Sequence, residues 1–238
     1  MSDPRERLIV ALDVPSAADA RRLVEVIGDS ARIYKVGKQL FTAEGPQVVR
    51  DLVASVRQVF LDLKYHDIPN TVAGAVREAG KLGVSLLTVH ASGGSKMLRA
   101  AAEAARDYPK LKILAVTVLT SMDAADLAEI GVARGVTEQV VHLAGLALKA
   151  GCAGVVASAQ EASRLRAEFG VNFRKRYGCE FLIVTPGVRP AGADAGDQAR
   201  VVTPAQAIAA GATHIVVGRP ITEAKDPGAA VRAIVAEM

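Results

Sequence analysis

The chain alternates eight times between short apolar runs and amphipathic segments, and this alternation restricts its fold more than any other feature. The apolar runs, interpreted as strands, are Leu8–Val14, Ile33–Gly37, a run that begins at Val59, Leu86–His90, Ile113–Thr120, Ala153–Ala157, Phe181–Gly187 and His214–Arg219. Between them apolar residues recur at helical spacing, as in the helix predicted from about residue 41 to residue 54. Strands that are almost continuously Val, Ile and Leu are typical of a parallel sheet covered on its faces.

Eight strand–helix units without a linker between them predict a single (β/α)₈ barrel domain over residues 1–238. A doubly wound open sheet is the alternative. No Gly-x-Gly-x-x-Gly sequence follows the first strand, which disfavours the dinucleotide-binding form of that sheet. The Gly-, Ala- and Asp-rich stretch over about residues 189–200 is typical of a mobile active-site loop.

Composition restricts the compartment and the partners. No apolar run reaches the roughly 18 residues of a membrane-spanning helix, and Met1–Arg7 has no signal-peptide core. Cys152 and Cys179 lack metal-ligand spacing and are predicted to be reduced packing residues of a cytoplasmic protein. The net charge of +4 is spread along the chain, and the one tight basic run, residues 174–176, is predicted to be a solvated face. Aromatic residues, which could stack on bases, are only 4% of the chain. A small phosphorylated substrate is therefore favoured over nucleic acid.

The third strand carries the charge pattern that most needs an explanation. Asp62 and Lys64 are two residues apart, so alternation along a strand places both on one face. Buried charges are costly unless they are paired, and even a buried pair is often no more stable than apolar residues. Asp67 follows in the next turn. A catalytic carboxylate–ammonium–carboxylate array is favoured, with a structural ion pair at the strand end as the alternative.

Polar residues also follow most of the other strands. In a (β/α)₈ barrel the active site forms where the carboxyl ends of the strands meet the following loops. These positions hold Asp13, Lys35, Asp62, Lys64, Asp67, His90, Thr120, Arg189 and Arg219. Taken singly, Asp13 could cap a helix and His90 could be a hydrogen-bonded core residue. Their convergence at one end of the barrel predicts a site.

The end of the chain predicts a phosphate site. The loops after strands seven and eight commonly bind phosphate in this fold. Backbone N–H groups near Gly218 can bind phosphate oxygens, and Arg219 can donate two parallel hydrogen bonds to them. Arg189 and Gln198 lie in or beside the loop after strand seven and could close over the same group. The alternative for Arg219 is a pair with a surface carboxylate.

The segment from Asp62 to Thr71, DLKYHDIPNT, resembles the D-x-K-x-x-D-I-P-x-T signature of the orotidine 5′-monophosphate decarboxylase family in its compact bacterial form. Shorter matches in the family's order are Leu12-Asp13, Lys35-Val36-Gly37, Val89-His90-Ala91, Leu119-Thr120-Ser121, Thr185–Pro190, Asp197-Gln198 and Val217-Gly218-Arg219. The resemblance covers essentially the whole chain. The full signature is specific, whereas D-x-K-x-x-D alone is shared with related barrel enzymes.

This resemblance implies conversion of orotidine 5′-monophosphate to uridine 5′-monophosphate without a metal or cofactor, the last step of pyrimidine nucleotide synthesis. It implies proton donation by Lys64, ribose binding by Asp13 and Lys35, a place for Asp62 beside the substrate carboxylate, pyrimidine contact by Thr120, and phosphate binding by Arg189, Gln198, Gly218 and Arg219. It also implies a homodimer in which Asp67, Ile68 and Thr71 enter the neighbouring subunit's site.

Two other functions are open alternatives. Metal-dependent relatives, such as 3-keto-gulonate-6-phosphate decarboxylases and hexulose-phosphate synthases, share D-x-K-x-x-D but end the second strand in an acidic residue that helps to hold magnesium. Here that position is Lys35, a cation that would oppose the metal. A non-catalytic phosphate-binding barrel is the other alternative, but a binding module has no need of a buried lysine between two carboxylates.

Overall fold

The computed structural model describes residues 3–55, 57–190 and 202–238, and within them eight parallel strands close into a barrel in sequence order. The strands are β1 (Leu8–Ala11), β2 (Ile33–Gly37), β3 (Gln58–Tyr65), β4 (Leu86–His90), β5 (Lys112–Val116), β6 (Gly154–Val156), β7 (Leu182–Thr185) and β8 (His214–Val217). The ring closes where β1 pairs with both β2 and β8. The predicted (β/α)₈ barrel is confirmed.

Helices follow the strands and cover the outside of the barrel. They are α1 (Ala17–Ile27), α2 (Lys38–Glu44), α3 (Gln47–Ala54), α4 (Pro69–Lys81), α5 (Gly94–Ala104), α6 (Ala124–Glu129), α7 (Val136–Ala150), α8 (Ala159–Leu165), α9 (Val171–Tyr177), α10 (Pro204–Ala209), α11 (Arg219–Thr222) and α12 (Pro227–Ala236). The Thr203 side chain accepts a hydrogen bond from the Gln206 N–H and so caps α10, as its sequence predicts.

The predicted helix from about residue 41 to residue 54 is wrong, because the segment forms two helices, α2 and α3. Gly45 ends α2 with a φ of 66°, a conformation that favours glycine. Pro46 follows and cannot supply a backbone N–H to continue the helix. Several predicted strands also extend too far: Asp13 and Thr120 lie beyond the ends of β1 and β5, and Arg219 begins α11.

Two apolar layers hold the barrel together. The inside is filled by Ile9, Ala11, Ile33, Phe60, Leu86, Leu114, Leu182, Val184 and Val216. A larger cluster lies between the strands and the helices. Because both faces of the sheet are covered, the strands are apolar at nearly every position.

The remaining composition-based predictions have mixed outcomes. Both cysteines are free. Cys152 is fully buried, as predicted, but Cys179 is exposed, so its prediction as a packing residue is wrong. Residues 174–176 are exposed at the end of α9, as predicted. None of the helices in the described ranges combines the length and the apolar character needed to cross a bilayer.

Candidate active site

Four side chains of alternating charge form a row at the carboxyl ends of β1, β2 and β3. Lys35 Nζ lies 2.8 Å from Asp13 Oδ1 and 4.0 Å from Asp62 Oδ2, while Lys64 Nζ lies 2.7 Å from the same Asp62 oxygen. The side chains of Lys35 and Asp62 are 10% and 13% exposed. Each of these nearly buried charges therefore has a partner of opposite sign, which offsets the cost of taking it out of water. We call Asp13, Lys35, Asp62 and Lys64 the charged row.

An irregularity in β3 sets the position of Lys64. Leu61 pairs with Leu87 of β4, and the next paired residue of β3 is Tyr65, opposite Val89. The strand bulges between them, and Lys64 there has a φ of 54°, the only positive φ of a non-glycine residue in the described ranges. Such a conformation costs roughly 1–3 kcal/mol and persists where its surroundings impose it, often at functional sites. Regular alternation therefore does not place Lys64, although its side chain does meet Asp62.

Thr88 stabilises the bulge and is a site residue that the motif and the strand-end positions do not include. Its hydroxyl accepts a hydrogen bond from the Lys64 N–H and donates one to Asp62 Oδ1, each at 2.9 Å. Thr88 is fully buried. A hydroxyl within the apolar run of β4, on the same face as Leu86 and His90, is the signal that could have identified it.

Two glycines allow the backbone to approach the exposed end of the charged row. A Cβ on Gly37 would lie 2.9 Å from Lys35 Nζ and 3.0 Å from Asp13 Oδ1. A Cβ on Gly218 would lie 3.8 Å from the other carboxylate oxygen of Asp13. The ends of β2 and β8 therefore meet at Asp13, which brings Gly218 to the site.

A cavity of about 160 Å³ opens beside the charged row. Its lining is Lys35, Asp62 and Lys64 together with Phe60, Val116, Val118, Leu119, Thr120, Val156, Ala157, Pro186 and Val216. Charges that face an apolar wall interact more strongly than charges in water, because the effective dielectric constant is lower. The cavity joins Thr120 to the charged row, as the sequence predicts.

The residues predicted to bind phosphate are less closely gathered. Arg219 is exposed at the start of α11, next to Gly218. Arg189 is buried; its N–H donates to Val202 O and its Nη1 donates to Val188 O, both at 3.0 Å. Gln198 lies outside the described residues, as does most of the predicted mobile loop.

Asp67, Ile68 and Thr71 do not join the charged row within one chain. All three are exposed, and Ile68 is 66% exposed. Asp67 Oδ1 accepts a hydrogen bond from the Ile68 N–H at 2.6 Å, just before α4 begins. The predicted group of Asp62, Lys64 and Asp67 is therefore not assembled within a single chain.

His90 lies at the end of β4, with its ring centroid 5.5 Å from that of His66. Burial lowers the pKa of His90, and His66, Lys38 and Lys64 lower it further, while Asp62 partly opposes them. The His90 ring is consequently neutral near neutral pH. It adds no positive charge beside Lys64.

The chain is similar to known proteins over nearly its whole length. Residues 6–234 match the family described as Orotidine 5′-phosphate decarboxylase / HUMPS family. Two proteins named Orotidine 5′-phosphate decarboxylase are 56% identical (Halorhodospira halophila, 98% of this chain and 95% of that protein covered) and 52% identical (Moorella thermoacetica, 98% and 92%). The crystal structure of Orotidine 5′-phosphate decarboxylase from Lactobacillus acidophilus has a TM-score of 0.83 at 38% identity, with 97% of each chain covered.

Proposed function

The chain belongs to the orotidine 5′-phosphate decarboxylase / HUMPS family, and from this we propose that it converts orotidine 5′-monophosphate to uridine 5′-monophosphate and CO₂ without a metal or an organic cofactor. It is an enzyme, so the alternative of a non-catalytic phosphate-binding barrel no longer stands. The observation that carries the mechanism is the position of Lys64, which borders the cavity with its Nζ 2.7 Å from Asp62.

In the proposed reaction Lys64 stabilises a carbanion and then protonates it. Loss of CO₂ from ring carbon C6 leaves the electron pair of the broken bond in the ring plane, where the π system delocalises it poorly. An ammonium about 4 Å away contributes roughly 4 kcal/mol at an effective dielectric constant of about 20. Enzymes lower barriers by about 8–23 kcal/mol in total, so other contacts must contribute. A proton then passes from Nζ to C6, and the neutral amine takes a proton from water.

Asp62 orients Lys64 in this proposal. Its Oδ2 accepts from Lys64 Nζ and its Oδ1 accepts from Thr88, so neither the carboxylate nor the ammonium can turn freely. Asp62 also borders the cavity, where the substrate carboxylate would lie. Repulsion between the two carboxylates would be relieved as CO₂ leaves, which adds ground-state destabilisation to the effect of Lys64.

The other roles are proposed from the family resemblance. We propose that Asp13 and Lys35 bind the ribose, that Thr120 contacts the pyrimidine, and that Arg189, Gln198, Gly218 and Arg219 bind the phosphate. The approach of Gly218 to Asp13 supports neighbouring ribose and phosphate positions. Binding energy from the phosphate, remote from C6, can then be used to stabilise the transition state.

A magnesium-dependent reaction of the kind found in related barrel enzymes fits these residues poorly. Such a site needs an acidic residue at the end of β2, where this chain has Lys35. The Lys35 ammonium lies 2.8 Å from Asp13 and 4.0 Å from Asp62, so a divalent cation near both carboxylates would have to displace it. Repulsion between the two positive charges opposes that arrangement.

The experiment is an assay of the purified protein after treatment with EDTA. We expect loss of orotidylate absorbance with release of uridine 5′-monophosphate at the rate of the untreated protein, and no gain when magnesium is added. A protein that becomes inactive on chelation and recovers with magnesium would contradict the metal-free reaction. Failure to consume orotidine 5′-monophosphate under either condition would contradict the proposed substrate.

We also propose a homodimer with shared active sites, in a cytoplasmic setting. The dimer is supported by the exposure of Asp67, Ile68 and Thr71, which lie on the loop after β3 and on the start of α4. An apolar side chain as exposed as Ile68 is well suited to be covered by a second chain. Asp67, its neighbour, would then bring a further carboxylate to the adjacent site.

A further inference from the structure

A second cavity, of about 460 Å³, lies at the opposite end of the barrel from the charged row. Six of its lining residues are the first residues of strands: Ile33, Gln58, Leu86, Lys112, Leu182 and His214. The loops that lead into the strands supply Arg57, Ser85 and Lys110. We call this cavity the amino-terminal mouth. No role proposed above uses any of these residues.

The amino-terminal mouth is positively charged. Arg57, Lys110 and Lys112 line it, and its lining contains no carboxylate within the described ranges. Lys110 and Lys112 are exposed and form no salt bridge with any described residue. Arg57 pairs with Asp29 at 3.3 Å, but the Asp29 side chain is 94% exposed, so water screens this pair.

Arg57 also has unused hydrogen-bonding capacity. Its Nη1 donates to Asp29 and weakly to Ala31 O. Its Nε is buried, and no acceptor for it exists among the residues that the structure describes. A buried donor without a partner is costly. This nitrogen has almost no exposed surface, so an anion in the mouth would meet the other guanidinium N–H groups of Arg57 and not Nε.

His214 lies in the same positive environment. Its Nδ1 is 2.9 Å from Thr213 Oγ1. The Thr213 hydroxyl donates to Ile183 O and accepts from the Ile183 N–H, so its remaining lone pair accepts from His214 Nδ1–H, and Nε2 is left without a proton. Burial, followed by Lys112 and Arg7, lowers the pKa of His214 to about 4. The ring is therefore neutral near neutral pH, and positive charge surrounds it.

We propose that the amino-terminal mouth binds a small multivalent oxyanion of the phosphate class, at a site separate from the substrate site. Ammonium and guanidinium groups are the side chains that bind such oxyanions in proteins. Cations that outnumber the nearby carboxylates on a concave surface also create a positive potential that attracts anions, and here Asp29, outside the lining, is the one carboxylate paired with them among the described residues. A cavity of about 460 Å³ has room for pyrophosphate or a phosphorylated metabolite.

The four histidines make this site directly observable by NMR of their ring protons. His214 lines the amino-terminal mouth, His66 and His90 lie near the charged row, and His142 is exposed on α7. When the intact protein is titrated with inorganic pyrophosphate, we expect a saturable shift of the His214 resonance, assigned by its disappearance in His214→Gln. Bound anion should also raise the pKa of His214, because it neutralises the nearby cations.

Two double variants locate the binding. Lys110→Ala/Lys112→Ala should weaken the affinity for pyrophosphate, measured from the His214 shift, by about tenfold or more, because hydrogen bonds to charged groups are lost. Its rate of uridine 5′-monophosphate formation should equal that of wild type, which also shows that the barrel is intact. Lys149→Ala/Lys175→Ala removes the same charge from exposed positions on α7 and α9 and should bind as wild type does.

Three outcomes would overturn the proposal. The first, which needs no variant, is a wild-type His214 resonance that does not move or moves without saturation. The second is a shift confined to His66 and His90, which would assign the binding to the substrate site alone. The third is an equal affinity in wild type and Lys110→Ala/Lys112→Ala.

Discussion

At the scale of single residues, the site depends on how two lysines are held. Lys35 lies between two carboxylates, and Lys64 is positioned by a backbone with positive φ and a hydrogen bond to Thr88. Asp62 accepts hydrogen bonds from both Lys64 and Thr88. Small changes beside the row should therefore alter catalysis more than stability.

Gly37→Ala should lower kcat/KM and leave the fold intact. The added methyl group would lie 2.9 Å from Lys35 Nζ and 3.0 Å from Asp13 Oδ1, so the flexible end of the lysine must move and the ion pair must lengthen. Loss of one charged hydrogen bond costs about 1.5–3 kcal/mol, or about tenfold to a hundredfold in kcat/KM. Steady-state kinetics and thermal melting measure the two effects. An unchanged kcat/KM would contradict the close approach at Gly37.

Residue spacing alone was sufficient to select Asp62 and Lys64, because charges two positions apart at the end of an apolar run are poor core residues. It did not select Thr88, whose one signal is a hydroxyl within an apolar run and whose partners come from a neighbouring strand. It also could not give the conformation of Lys64. Both depend on the register between β3 and β4, which only the folded barrel fixes.

At the scale of elements, the regular parts follow from the sequence and the irregular parts do not. Eight apolar runs with helices between them predicted the barrel, because parallel strands must be covered on both faces. The break between α2 and α3 depends on Gly45 and Pro46, a turn signal that outweighs the apolar periodicity on either side. The bulge in β3 has no comparable signal in the sequence.

Gly154→Ala should destabilise the barrel. Gly154 begins β6 and pairs with Leu182 of β7, and a Cβ there would lie 2.2 Å from the Leu182 carbonyl oxygen. A strand backbone cannot move aside as a side chain can. Overpacking costs about 1–3 kcal/mol, and each kcal/mol lowers Tm by about 2–4 °C at this size.

The matched control for Gly154→Ala is Gly145→Ala, measured by the same thermal melts. Gly145 lies within α7, and its added Cβ would be 3.7 Å from Phe169 Cζ, an ordinary contact. Since alanine is favoured over glycine in a helix by about 1 kcal/mol, this variant should keep or raise the Tm. Equal Tm values for Gly154→Ala and wild type would show that β6 and β7 can separate without cost.

At the scale of the whole molecule, the barrel has two ends with different charge. One end carries cations and carboxylates in alternation, and the other carries cations alone in its cavity lining, within the described residues. The positive end could not be predicted from sequence, because its residues come from the starts of separate strands and meet only when the barrel closes. The site end could be predicted, since a family signature covers much of it.

Acid should destabilise the protein partly through His214. Its pKa is lowered from 6.5 to about 4, so between these values the unfolded chain binds a proton that the native protein does not. The stability that comes from keeping the His214 ring neutral is fully present above pH 6.5. As the pH falls towards 4, the free energy of unfolding drops by about 3 kcal/mol through this group. Urea unfolding at both ends of this range should show a smaller loss for His214→Gln than for wild type. Equal losses of unfolding free energy in the two proteins would contradict the lowered pKa of His214.

Mixed dimers should test whether active sites are shared between subunits. Lys64→Ala removes the proposed proton donor of its own site, whereas Asp67→Ala should damage the neighbouring site if sites are shared. Each single variant should therefore be nearly inactive, but in the proposed arrangement a mixed dimer would keep one intact site. Co-refolding the two in equal amounts should restore about a quarter of wild-type activity, since about half of the dimers are mixed. No recovery, in mixtures that are dimeric by light scattering, would contradict shared sites.

The most direct test of the mechanism compares decarboxylation of orotidine 5′-monophosphate by chelator-treated wild type and Lys64→Ala, alongside their affinities for uridine 5′-monophosphate. If Lys64 both stabilises and protonates the carbanion, turnover should fall by about a thousandfold or more, while affinity for the product changes far less. Turnover near the wild-type rate in Lys64→Ala would show that another group supplies the proton.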